Sequence, residues 1–349
     1  MDKDVIFQES SGTGWVILNR PRALNALSLQ MVTDIYNKLK EWSENESIAL
    51  VCIKSQIEKA FCSGGDIRSI CEMAKINKSS TFFKEYFSTE YKMDLLVHEY
   101  PKPILAFMDG VVMGGGVGLS IGAKFRIMTE RTKWAMPEMN IGFFPDVGAS
   151  YFLNQMPGKI GTYLALTAKV LTTGDILYTN AANYYLMSSD LYKVEDYIRS
   201  FSWRKGTVEE PLTSFLESIC MKQEQVSFSI DEKRINQHFQ YKSMEEIIES
   251  LDEAIEKGDK WAEETRSLLL QKSPTSLKVT LELIQRGIEY TLEESFETDV
   301  ILAQNFLHTN DFHEGVRAVL VDKDHSPKWN PDSLNNVSNE YVNSFFYFE

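Results

Sequence analysis

The chain has 349 residues, 43% of them hydrophobic, with 36 Lys and Arg against 50 Asp and Glu and a formal net charge of −14. That length holds one large or two medium domains with a sizeable core, and the acidic balance disfavours non-specific nucleic-acid binding, which needs a basic face. The four cysteines, Cys52, Cys62, Cys71 and Cys220, form no CxxC pair and read as thiols in a reducing compartment, and no apolar run of about 18 residues suggests a membrane span.

The N-terminal Met1-Asp2-Lys3-Asp4 shows neither a signal h-region nor an Arg-rich transit segment, so the expected location is cytoplasmic, with the mitochondrial matrix the alternative for a processed organelle protein. Residues 5–8 and 15–18 read as short strands joined by a turn containing Gly12 and Gly14. Ser28 can cap an amphipathic helix that carries Met31, Ile35 and Leu39 and ends near Trp42. A β-branched run at 48–53, a helix at 81–99, a strand at 104–108 and a strand at 125–129 continue the alternation, which implies parallel pairing in an α/β layered domain. After about residue 150 the strand signal fades. Residues 159–168 look helical, and the polar stretch 203–211, with Gly206 and Pro211, reads as a hinge. Ser243-Met244-Glu245-Glu246 is a capping box that opens a helix; 259–271 and 274–290 read as further helices, and Asp311-Phe312-His313-Glu314 as a second capping box.

Two glycine turns stand out. Gly114-Gly115-Gly116 follows the apolar segment 104–108 and precedes a helical run, so it offers unpaired N–H groups at the positive end of a helix dipole. Phe61-Cys62-Ser63-Gly64-Gly65-Asp66-Ile67 is a turn of similar kind. Two such turns meeting in space hold one carbonyl oxygen between two amides, the requirement of an oxyanion hole; the competing reading is glycine for close helix–sheet packing.

Carboxylates supply the other chemistry. Glu138 is flanked by Met136, Pro137 and Met139, a desolvating setting that suits a general base or nucleophile. Asp146 follows Pro145 and reads equally as an N-cap for a helix beginning near Val147. Glu90 reads by composition as an exposed helix residue, and Cys62 as a small buried filler. There is no GxxxxGK[ST] loop and no GxSxG elbow, and His313-Glu314 fails the HExxH zinc motif because Arg317 stands at the second histidine position.

In this order, Leu18-Asn19-Arg20-Pro21, Ala23-Leu24-Asn25-Ala26-Leu27, residues 61–67, Pro103-Ile104, the glycine row, Pro137-Glu138 and Ile141-Gly142 resemble the crotonase (enoyl-CoA hydratase/isomerase) superfamily. The resemblance implies an α/β fold, a crotonase-like ββα spiral with a C-terminal helical region: a spiral core with the catalytic site over 1–202 and a mainly helical region over 203–349. It implies that the Gly65 and Gly115 amides form the oxyanion hole for an acyl-CoA thioester. Hydratases of the family carry one glutamate just after the glycine row and another in the Pro-Glu motif. Here the first position is Gly118, so only Glu138 remains. Asp146, in Phe144-Pro145-Asp146-Val147-Gly148, stands where hydratases have glycine. With Tyr151-Phe152-Leu153, Ser273–Lys278 and residues 311–329, the pattern is similar to the family's 3-hydroxyisobutyryl-CoA hydrolase branch.

That branch implies hydrolysis of a 3-hydroxyacyl-CoA thioester, 3-hydroxyisobutyryl-CoA, to 3-hydroxyisobutyrate and CoA in valine catabolism. The alternatives are a hydratase or isomerase and a non-catalytic acyl-CoA-binding member. By the same resemblance Glu138 and Asp146 are the catalytic residues, Glu90, Gly115, Glu138 and Asp146 contact substrate, and Arg22 contacts the CoA phosphates. No metal or other cofactor is implied, since coenzyme A is part of the substrate. The expected partner is the acyl-CoA, with no nucleic acid and no membrane. Many relatives are trimers or paired trimers, which makes a homo-oligomer an expectation.

Overall fold

The computed structural model describes residues 3–77, 81–221, 226 and 228–348; Met1 and Asp2, ahead of the first strand, lie outside them. Two compact units form. The first comprises residues 1–66, 88–135 and 170–230, the second residues 67–87, 136–169 and 231–349.

The first unit is built on two sheets. Strands β1 (Val5–Ser10), β2 (Thr13–Leu18), β3 (Leu50–Ser55), β4 (Ala60–Cys62), β5 (Ile104–Met108), β6 (Val111–Met113), β7 (Phe125–Met128), β8 (Lys133–Ala135), β9 (Leu171–Thr172) and β10 (Tyr184–Tyr185) divide between them. The larger sheet has the order β1-β2-β3-β5-β7-β10, and the smaller β4-β6-β8-β9. Only β1–β2 and β8–β9 pair antiparallel; the other named pairs are parallel. Every residue of β2 and β5 is buried, the pattern of a sheet covered on both faces. The crossover from β2 to β3 is the helix Leu29–Glu44, which buries Met31, Val32, Ile35, Leu39 and Trp42. Ser28 caps it, its hydroxyl accepting from the Met31 N–H at 3.3 Å.

The expected strands and helices are present, with shifted ends. The short strands of the smaller sheet were not anticipated, because three residues are too few to show a period. The expected hinge at 203–211 is corrected. Trp203 and Val208 are buried in the same apolar core as Trp15 and Phe107, the Trp203 N–H donates to the Ser11 carbonyl at 2.9 Å, and Pro211 lies inside the helix Glu209–Ile219.

From Leu191 onward the named elements of the described residues are helical. In the second unit Ser243 and Glu246 form the expected capping box at the head of Met244–Glu256. A second box does occur, but at Thr291 and Glu294, opening the helix Leu292–Phe306. The box expected at 311–314 is corrected. Thr309 caps the helix Asn310–Val316, and Asp311 is a buried residue of its first turn, accepting from the Ser273 hydroxyl at 2.5 Å and the Asn330 N–H at 2.7 Å. A cluster of rings, Phe83, Phe87, Phe143, Phe144, Phe306 and Phe312, locks the segment that leads to Asp146. No helix of the described residues is long and apolar enough to cross a membrane.

Candidate active site

The two glycine turns of the first unit meet. Asn25, fully buried, donates from its side chain to the carbonyls of Ala60 and Phe61 and accepts the Arg20 N–H at 2.8 Å. The Leu27 N–H donates to the Gly64 carbonyl at 2.8 Å and the Asp66 N–H to the Leu27 carbonyl at 2.9 Å, a parallel bridge that turns the Gly65 N–H outward from the pair. On the other side the Gly114 N–H is tied to the Ala135 carbonyl at 3.2 Å, and the helix Gly115–Ile121 begins at the next residue. The Gly65 nitrogen lies 3.3 Å from the point where a Cβ on Gly115 would stand. Neither the Gly65 nor the Gly115 amide reaches a main-chain acceptor in the turns and loops of the described residues. Two adjacent donors of this kind are what a developing oxyanion requires.

Glu90 joins this group. The exposed position expected from composition is corrected: on the helix Thr81–His98 it is 2% exposed, and its Oε1 occupies the space in front of the Gly115 Cα. Cys62 is the filler expected. Its Sγ lies 3.2 Å from the Asn25 carbonyl, and burial pushes the thiol up to about 12, far from a reactive thiolate.

The second unit holds the other two acids. Glu138 opens a short 3-10 turn, Glu138–Ile141, and is 8% exposed. The turn is fixed from several sides: the Phe143 N–H donates to the Glu138 carbonyl at 3.2 Å, the Lys272 ammonium donates to the Asn140 side chain, and the Thr280 hydroxyl points at the Met139 sulfur at 3.3 Å. Lys272 is itself buried, which lowers its pKa to about 8. Asp146 is 5% exposed. It does not cap the helix Ala149–Phe152 with its side chain; Gly148 occupies the N-cap position, and only the Asp146 carbonyl bonds the Ala149 N–H, at 3.0 Å.

Motif reading missed Asp299. It is fully buried on the helix Leu292–Phe306, and its Oδ2 accepts the Gly148 N–H at 2.8 Å. Burial, and then the charge of Asp146, push its carboxyl well above the usual range. The signal was there: Phe296, Asp299, Ala303 and Phe306 make one buried stripe at helical spacing, and an acid in such a stripe calls for a partner.

Arg22, in the turn Pro21–Ala23, is exposed and forms no ion pair among the described residues, leaving its guanidinium available to a phosphate. A groove of the second unit, about 550 Å³, contains none of the candidate residues. It is lined by Glu245, Glu249, Asp252, Glu253 and Glu256, which repel a polyanion such as CoA.

A family model described as enoyl-CoA hydratase/isomerase matches residues 13–346. The chain belongs to the enoyl-CoA hydratase/isomerase family. Its curated relatives include the mitochondrial 3-hydroxyisobutyryl-CoA hydrolase of Gallus gallus, 42% identical over 98% of this chain and 88% of that protein. They also include the small ribosomal subunit protein mS47 of Neurospora crassa, 39% identical over 97% of this chain and 71% of that protein. Among solved structures, a carnitinyl-CoA dehydratase from Mycobacterium thermoresistibile superposes with a TM-score of 0.90 at 30% identity, covering 100% of this chain and 97% of the other. The expected crotonase-like fold, parallel sheets followed by a helical region, is therefore the fold of this family member. The expected cytoplasmic location is corrected, because the curated hydrolases that this family member matches are mitochondrial proteins. Gly118 is a buried residue inside the helix Gly115–Ile121.

Proposed function

We propose that this chain hydrolyses 3-hydroxyisobutyryl-CoA to 3-hydroxyisobutyrate and CoA. The observation that carries this reading is its 42% identity, over nearly the whole length, to a hydrolase of that name. The roles assigned to individual residues belong to the same proposal. The catalytic residues precede residue 202 and the helical region follows 203, the division of labour read from the sequence.

The Gly65 and Gly115 amides polarise the thioester carbonyl and hold the oxyanion of the tetrahedral intermediate, which in comparable sites is worth about 3–4 kcal/mol per donor. Their proximity and N–H groups unused by the main-chain bonds of the turns support that role. Glu138 supplies the attack, either by taking a proton from water or by adding its carboxylate to the carbonyl carbon, giving an anhydride that water opens. In both routes the C–S bond breaks and the CoA thiolate takes up a proton. Its burial beside methionines, which strips water from the carboxylate, supports Glu138 in this part. Asp146 binds the 3-hydroxyl or protonates the thiolate, Glu90 borders the acyl carbonyl, and Arg22 meets the CoA phosphates.

A second reading, hydration of an enoyl-CoA, draws on the dehydratase likeness. It needs an acid and a base, and Gly118 removes one of the family's two glutamates. The likeness to a ribosomal protein raises a scaffold reading, against which Glu138 and Asp146 are both retained. One assay separates the three. Thiol release from 3-hydroxyisobutyryl-CoA supports hydrolysis; loss of enoyl absorbance from an unsaturated CoA without thiol supports hydration; neither signal supports the scaffold.

A further inference from the structure

Asp146 is followed by two residues in the left-handed region, Val147 at φ 54° and Gly148 at φ 80°. With the Ala149 N–H closing onto the Asp146 carbonyl at 3.0 Å, residues 146–149 make a tight turn whose two central residues are both left-handed. Glycine adopts that geometry freely, whereas a β-branched valine is strained there. Strain of this kind persists only where the surroundings over-determine the backbone.

The helix Leu292–Phe306 provides that constraint at two points. Asp299 takes the Gly148 N–H on its Oδ2 at 2.8 Å, and Phe296, three residues earlier, fills the space over Gly148, its Cζ 3.0 Å from where a Cβ would stand. The second oxygen of Asp299, Oδ1, is buried without a hydrogen-bond partner among the described residues. A buried carboxylate with a single donor is costly, and burial together with the charge of Asp146 pushes this carboxyl well above the usual carboxylate range. What the turn takes from Asp299 is a hydrogen-bond acceptor for the Gly148 N–H.

We propose that Asp299 is a positioning residue for Asp146: by accepting the Gly148 N–H it clamps the left-handed turn that aims the Asp146 carboxyl. This role rests on Asp146 facing the substrate hydroxyl, as in the reading above. An asparagine keeps an acceptor at the same reach, and an alanine removes it.

The experiment compares wild type, Asp299→Asn and Asp299→Ala by hydrogen–deuterium exchange over residues 144–152 and by kcat and KM for 3-hydroxyisobutyryl-CoA and isobutyryl-CoA. Asp299→Asn is expected to keep wild-type protection and wild-type preference for the hydroxylated ester. Asp299→Ala is expected to lose protection in that segment, and about tenfold in kcat/KM for the hydroxylated ester, the effect of one lost hydrogen bond to a buried group, with a smaller loss for isobutyryl-CoA. Wild-type exchange in Asp299→Ala, equal losses on the two esters, or an Asp299→Asn variant that has lost the preference would each overturn the role; the last applies even if Asp299→Ala does not fold. Absence of thiol release from the wild type would defeat the hydrolase reading alone, and the exchange comparison would still decide the clamp.

Discussion

The Gly65 amide nitrogen lies 3.3 Å from the point at which a side chain on Gly115 would begin, and the Glu90 carboxylate already fills the rest of that space. The closeness follows from pairing: residues 24–27 are stitched to 63–66, and the Gly114 N–H is tied to β8, so both turns are held by main-chain bonds.

Gly115→Ala is therefore expected to push the Glu90 carboxylate aside and crowd the Gly65 amide. The expected result is a loss of roughly 10²–10³ in kcat, the effect of one oxyanion donor, with little change in the unfolding temperature. Gly116→Ala is its contrast. There the new Cβ meets the main-chain carbonyl of Cys62, which cannot rotate away, so stability falls by about 1–3 kcal/mol. Thermal unfolding beside steady-state thiol release checks both; a Gly115→Ala enzyme with wild-type kcat would remove Gly115 from the oxyanion role.

Arg22→Ala is expected to raise KM for the CoA ester up to about fivefold with kcat unchanged, since an exposed ionic contact contributes at most ~1 kcal/mol. The difference from wild type should shrink as salt is added, because exposed charges are screened. Titrating KM against ionic strength tests this, and a kcat effect would place Arg22 elsewhere in the cycle.

Much of this arrangement was legible in the sequence. Glycine rows, the Pro-Glu motif and the cap at Ser28 are local signals, visible without knowledge of their distant partners. What stayed hidden was long-range. Glu90 looked exposed because its own helix gives no hint that Gly115 lies against it. Asp311 mimicked a capping residue, but its partners Ser273 and Asn330 are far along the chain. Asp299 serves a turn about 150 residues earlier, a separation no motif spans.

Lys272 gives a pH dependence with a definite sign. Burial lowers its pKa to about 8 from the ordinary 10.5. Below pH 8 it is charged in both folded and unfolded chains. Between about 8 and 10.5 only the unfolded chain holds the proton, so folding gains stability as pH rises through that window, by at most ~1.4 kcal/mol per pH unit. Lys272→Met removes the titration. Urea midpoints of wild type and variant from pH 7 to 10 should converge or cross in favour of the wild type as pH rises; parallel curves would show that Lys272 is not desolvated.

The most direct measurement is the turnover of Glu138→Gln with 3-hydroxyisobutyryl-CoA, followed by free thiol, alongside binding of the same ester. The amide keeps the size of the buried side chain but can neither take a proton from water nor form the anhydride. Turnover should fall by roughly 10²–10⁴ while ester affinity stays near the wild-type value. Unchanged turnover would contradict the role of Glu138 in the attack, whatever the substrate proves to be.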